Sequence, residues 1–158
     1  MTDARPSHDS PRVIAPPPLI FVAGFGLGLA LQWIVPLHVF SGWPFRLAGW
    51  LVAVFAGILA LWGAITMWRA HTHIDPRKPA LAIVTTGPFR FTRNPLYLSL
   101  VMLCGGAAVF LDLPWVIVAL VPTVVVVHRF VIRREERYLE AKFGAAYVRY
   151  KRGTRRWI

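Results

Sequence analysis

The sequence predicts an all-α integral membrane protein with about four transmembrane helices. Three observations predict it. Hydrophobic residues fill 56% of the 158 positions and the mean hydropathy is +0.54. A soluble domain is roughly 45–50% apolar, and a chain this short has no ordinary core in which to bury the excess. The apolar residues fall into long runs, and the charged residues into blocks between them. Those blocks alternate between basic and nearly uncharged along the chain, as connections on opposite sides of a bilayer do.

The net charge of +11 would raise nucleic-acid binding for a soluble protein. Here the cations flank apolar runs, which fits attraction to anionic lipid headgroups and argues against a nucleic-acid partner. A single cysteine, Cys104, excludes an intrachain disulfide and a metal site built on several cysteines. Cys104 sits among small apolar residues and reads as a buried hydrophobe. His71, His73 and His128 lack the spacing and acidic partner of a helical metal site, so no metal is expected.

Residues 1–18 are polar and then proline-rich, a disordered tail ending in a stiff Pro16-Pro17-Pro18 stop, without the order of a signal peptide. Residues 19–158 form one membrane domain. Its first span covers about Leu19–Val35. Gly24, Gly26 and Gly28 in it are spaced for close helix packing, since no strand precedes them as a dinucleotide fingerprint requires. The second span covers about Pro44–Trp68, with Trp43, Trp50, Trp62 and Trp68 supplying interfacial anchors. A basic loop leads to the third span, about Pro95–Leu111. Asp112-Leu113-Pro114 is a short turn, so the fourth span, about 114–132, returns antiparallel. It becomes charged without a helix breaker, which predicts one helix leaving the membrane and ending at Gly144. A short amphipathic helix, about Ala145–Lys151, follows.

Lys and Arg counts set the orientation. The first connection carries Arg46 alone and the third carries none. The second carries Arg69, Arg77, Lys78, Arg90 and Arg93, and ten more lie from Arg129 onward. Both termini and both charged segments are therefore expected in the cytoplasm.

Those two segments, Gly87–Leu100 and Arg133–Ile158, carry the chemistry. Asn94-Pro95 is a favoured helix start. The unpaired N–H groups of that start, with Arg93 beside them and Tyr97 in the first turn, suit a carboxylate or phosphate. His128, Ile132, Glu135 or Glu136, Leu139 and Phe143 recur at helical spacing. A glutamate on that face suits an ammonium or ribose hydroxyls. The span centres lack Asp and Glu, which argues against a proton-coupled exporter.

In order, Gly87-Pro88-Phe89, Arg93-Asn94-Pro95-Leu96-Tyr97, Glu135-Glu136, Phe143-Gly144-Ala145-Ala146-Tyr147-Val148-Arg149-Tyr150 and Arg156-Trp157-Ile158 resemble the integral-membrane methyltransferases typified by isoprenylcysteine carboxyl methyltransferase and its phospholipid N-methyltransferase relatives. The resemblance covers roughly Thr72 to Ile158. Asn94 stands where the carboxyl methyltransferases carry histidine, and Ser99 where glycine is frequent. The resemblance implies S-adenosylmethionine as methyl donor and S-adenosylhomocysteine as product. It implies a lipophilic acceptor, a lipid or a prenylated molecule, met at the membrane–cytosol boundary. The expected reaction is carboxyl O-methylation of an isoprenylcysteine-like substrate. The alternatives are N-methylation of a phosphatidylethanolamine-type phospholipid, or a non-catalytic membrane protein or small transporter. Carried over, Arg93, Arg149 and Glu136 are the catalytic candidates. Arg93, Asn94, Pro95, Tyr97, Glu135, Glu136 and Tyr150 are the cofactor-binding ones.

Overall fold

Proline opens each of the four apolar helices, at the first or second helical position. There its missing N–H is no loss and its fixed φ suits the helix. In the computed structural model, which describes residues 15–157, these are α1 (Pro17–Ile34), α2 (Trp43–Arg69), α3 (Pro95–Phe110) and α4 (Pro114–Val127). A π turn, His128–Ile132, joins α4 to α5 (Arg133–Phe143) without a break, and α6 (Ala145–Gly153) follows. No strand occurs among the described residues; a lone bridge pairs Thr92 with Arg155. The all-α class and the helix order are as the sequence predicts.

Several boundaries move. Pro17 and Pro18 are the first turn of α1 rather than the end of a tail; positions 1–14 of the expected tail lie outside the described residues. Three helices are long and apolar enough to cross a membrane: α1, α2, and the 30-residue helix Pro114–Phe143. With 16 residues, α3 is about 24 Å long and falls short of the ~30 Å hydrocarbon layer. The expected break at Gly144 is present: the residue takes φ +54, a backbone region in which glycine pays no Cβ penalty.

The helices pair as α1 with α4 and α2 with α3, and α3 and α4 form the expected hairpin. Glycines let the backbones touch. A Cβ on Gly28 would lie 2.5 Å from Val116 Cα, and one on Gly49 would lie 2.5 Å from Phe110 N. Gly24 faces Thr123, while Gly26 faces open space. This is the small-residue packing by which helices associate in lipid. Large apolar side chains such as Val22, Trp50, Phe55 and Leu61 remain exposed around the bundle. Trp33 and Trp43 at one end and Trp68 at the other are also exposed, as interfacial anchors are.

One end of the bundle is tied by Asp112. Its carboxylate accepts hydrogen bonds from the Val39 and Phe40 N–H groups at 2.9 and 2.7 Å. Ser41 Oγ at 3.0 Å and His38 Nδ1 at 3.1 Å complete the set. The best-buried cluster, Phe21, Tyr97, Val127, Val131 and Ile132, lies toward the opposite, basic end, with Trp157 packed against it. The π turn adds a residue to the helix there. Val127, Val131 and Ile132 are all fully buried, and the same face then continues into Glu135 and Glu136.

Candidate functional site

Four segments converge at the basic end. Gly87, at φ +58, starts a tight 3-10 turn (Gly87–Arg90) that buries Pro88 and Phe89. The chain then runs beside the segment after α6. Arg93 N–H donates to the Arg155 carbonyl at 2.9 Å, and Thr92 Oγ1 donates to the Arg156 carbonyl at 3.1 Å. Asn94 occupies the N-cap position of α3, but its side chain does not cap. Nδ2 donates instead to the Arg156 carbonyl at 2.9 Å, an acceptor brought in by the segment after α6. No side chain caps the first turn of α3, which is left with N–H groups of the kind that bind anions.

The polar centre is built on two adjacent glutamates. Glu136 receives Arg156 in a two-pronged contact, Nε to Oε1 at 2.8 Å and Nη2 to Oε2 at 2.6 Å. From the other side Arg93 Nη1 lies 2.9 Å from Glu136 Oε1, with the two side chains only 9% and 8% exposed. That N–H is not aimed along the contact, so Nε and Nη1 of Arg93 are buried without a hydrogen-bond acceptor. Buried donors of a charged group left in this state are costly. Glu135 faces the other way and accepts the Tyr97 hydroxyl at 2.8 Å. Burial pushes the Glu135 carboxyl above the ordinary carboxylate range; the Tyr97 bond opposes this, and the Glu136 charge adds to it. Burial also pushes the Tyr147 hydroxyl up to about 12, the neighbouring Glu136 charge adding to it while Arg93 opposes it. Tyr150 is raised mainly by burial, and its hydroxyl donates to the Phe89 carbonyl at 2.7 Å.

These groups line two joined cavities. One holds about 720 Å³ of empty space, its mouth included, between the α2–α3 loop, α5 and α6. Thr72, Asp75, Phe89, Arg93, Glu135 and Tyr147 are among its walls. The other, about 990 Å³, is lined by Pro17, Met67, Pro95, Tyr97, Leu100 and Glu135 among others. Arg93, Asn94 and Glu135 belong to both. Through Pro18 and Leu100 the second cavity meets an apolar groove between α1 and α3, lined by Phe21, Phe25, Leu103 and Cys104. The enclosed part of the first is small, about 90 Å³, while that of the second, about 410 Å³, lies within the ~300–1,000 Å³ usual for small-molecule sites.

Of the residues singled out from the sequence, Arg93, Asn94, Pro95, Tyr97, Glu135, Glu136 and Tyr150 all line one or both cavities. Arg149 is exposed on α6 and lines neither. Sequence reasoning missed three contributors. Arg156 fixes Glu136, and only its place in the Arg-Trp-Ile motif marked it. Tyr147 flanks Arg93 from within the Phe-Gly-x-x-Tyr motif. The part of the α2–α3 loop before Gly87 had no motif. It is held by Asp75 paired with Arg77 at 2.8 Å, by Leu81 N–H donating to Thr72 Oγ1 at 3.0 Å, and by Ala80 N–H donating to the Tyr138 hydroxyl at 3.2 Å.

The site can hold an anion against Arg93 and the α3 start, a cation or hydroxyls against Glu135, and an apolar tail along α1 and α3. A protein of Haemophilus influenzae, itself described as uncharacterized, is 40% identical over 65 residues, which span 40% of this chain and all of that protein. No solved structure matches the chain significantly. The model of one family, described as phospholipid methyltransferase, matches residues 45–146 and so takes in α2, α3, α4, α5 and most of the cavity walls. A match over that much of the sequence, on a bundle with three helices able to cross a membrane, shows that the chain is a membrane methyltransferase and belongs to the phospholipid methyltransferase family.

Proposed function

We propose that the chain transfers a methyl group from S-adenosylmethionine to the polar end of a lipophilic acceptor, in the paired cavities at the basic end of the bundle. The observation that carries this reading is Arg93, buried with two donors unanswered beside the uncapped start of α3. Those are the groups a methionine carboxylate would satisfy. Glu135 and the α2–α3 loop would meet the ammonium and the ribose. The bound donor supplies an electrophilic methyl on a sulfonium. The protein's own residues supply alignment and a site drained of water. Glu136 positions Arg93, and Arg156 positions Glu136. Arg149, outside the cavities, is left aside.

For the acceptor we take the isoprenylcysteine-like reading first. Its carboxylate is ionised at neutral pH and needs no base, and its chain fits the groove between α1 and α3. A second reading, a phosphatidylethanolamine-type amine, is favoured by Glu135. An amine with a pKa near ~10 must lose a proton before it attacks, and a carboxylate of raised pKa in the cavity wall is a base in reach. The description of the matching family points the same way. We further propose that this end faces the cytoplasm with both termini, the orientation that the distribution of Arg and Lys favours.

Calorimetry with purified protein should detect S-adenosylhomocysteine. Arg93→Gln should weaken that binding roughly 10–100-fold, the worth of hydrogen bonds to a charged group. No binding by the wild type would sink the reading. Labelled methyl transfer to a prenylcysteine analogue, and not to phosphatidylethanolamine, supports the first acceptor; the reverse result supports the second.

A further inference from the structure

A second polar concavity lies behind Glu136, on the side away from the paired cavities. It holds about 770 Å³ of empty space, mouth included. Three of its arginines, Arg129, Arg133 and Arg137, follow one another at four-residue spacing from the π turn into α5, while Lys151 and Arg156 face them from α6 and the segment beyond. Its carboxylates are Glu136 and Glu140. Both are spoken for: Glu136 by Arg156 and Arg93, and Glu140 by Lys151 at 2.9 Å. Among the described residues Arg129, Arg133 and Arg137 have no carboxylate partner. Arg137 Nε does no more than donate to the Arg133 carbonyl of its own helix at 3.2 Å. Three exposed guanidiniums therefore crowd one concave wall with no carboxylate of their own to offset their repulsion.

Their depth along the helix identifies what would offset it. Arg129 is one turn past the last residues of the apolar run, beside exposed Val125, Val126 and Phe130. The concavity thus begins where the apolar surface of the bundle stops, at the level of lipid phosphates. Guanidiniums match phosphate oxygens in planar, two-pronged pairs. We propose that this pocket binds the phosphate group of an anionic membrane lipid, whose acyl chains lie along the exposed apolar face of α4. The ligand is distinct from the methyl acceptor. It sits on the opposite side of Glu136 and reaches none of the cavity residues except Glu136 itself.

Full-length protein in detergent micelles holding equal phosphatidylglycerol and phosphatidylcholine provides the test, with retained lipid read by native mass spectrometry. The wild type should retain phosphatidylglycerol with a preference on the order of 100-fold, as three cations at about 1 kcal/mol each imply. Replacing Arg129, Arg133 and Arg137 together by Gln should abolish the preference. A matched control, with Arg69, Arg90 and Arg152 replaced by Gln, should keep it. Unchanged helical circular dichroism in both variants shows that they fold. Inorganic phosphate is added as a separate arm. If it binds the wild type while phosphatidylglycerol is not preferred, the lipid source is overturned. Equal retention by the wild type and the pocket variant, or equal loss in the control, overturns the site.

Discussion

The two ends of the bundle treat their charged groups in opposite ways. At one end Asp112 spends both oxygens on four donors drawn from residues 38–41. Burial alone would raise its pKa, but the hydrogen bonds from Phe40, Val39, Ser41 and His38 prevail and pull the carboxyl down to about 2. At the other end Arg93 keeps two buried donors idle and Glu135 has the single Tyr97 hydroxyl. One carboxylate closes a joint; the other charged groups surround open space. A satisfied network holds structure, whereas an unsatisfied one around a cavity is a cost that a ligand can remove. The idle donors beside a cavity are why we propose the site at this end.

The sharpest way to break this contrast is Glu136→Ala. It strands Arg93 and Arg156 without their shared anion. Breaking a buried pair costs about 3–5 kcal/mol, and the lower end applies here because Arg156 is 32% exposed. Denaturant or thermal unfolding in micelles measures it, and loss of S-adenosylhomocysteine binding should accompany it. A variant as stable as wild type would show that the ion pairs do not hold the site.

Asp112→Ala should have a smaller effect of the opposite character: a lower unfolding midpoint with nucleoside binding unchanged. Because the folded-state pKa is depressed, the contribution of Asp112 is present above the ordinary carboxylate value and fades as acid takes the pH from about 4 toward 2. The variant should lose that part of the acid dependence.

Glu135→Gln should produce the smallest change and is the finest test. The raised pKa means that the fold favours the neutral carboxyl. Its contribution is full below about pH 4 and is lost as pH rises through the shifted value. The Gln variant, neutral throughout, should match wild type in acid and become the more stable of the two at neutral and alkaline pH. Parallel curves across the whole range would remove the basis for treating Glu135 as a tunable base.

Much of this was legible in the sequence, for identifiable reasons. The spans follow from apolar runs and proline starts, which are local. Arg93, Tyr97, Glu135 and Glu136 were found because each sits at a helix end, where chemistry and boundary coincide. What escaped depends on residues distant in sequence. Asn94 has the residue type of an N-cap, yet an acceptor 62 positions away takes its side chain. The π turn has no sequence signature and lies among the buried Val127, Val131 and Ile132. Arg149 carried the right charge in the right motif, but α6 turns it to solvent. The three guanidiniums of the second pocket read from sequence as ordinary membrane-flanking charge; only their shared wall sets them apart.

The pairing of helices also governs how the protein can be made. The hairpin of α2 with α3 closes between neighbours in the chain, but the main partner of α1 is α4, more than 80 residues downstream, and Trp115 Nε1 reaches back to the Val35 carbonyl at 2.8 Å. During synthesis α1 must wait in the bilayer while three further helices are inserted. Its sequence suits a solitary wait: no charged residue lies between Pro17 and Ile34, and Gln32 turns to the Leu37 carbonyl of its own exit. The groove that α1 shares with α3 is therefore held chiefly by α4, against which most of α1 packs.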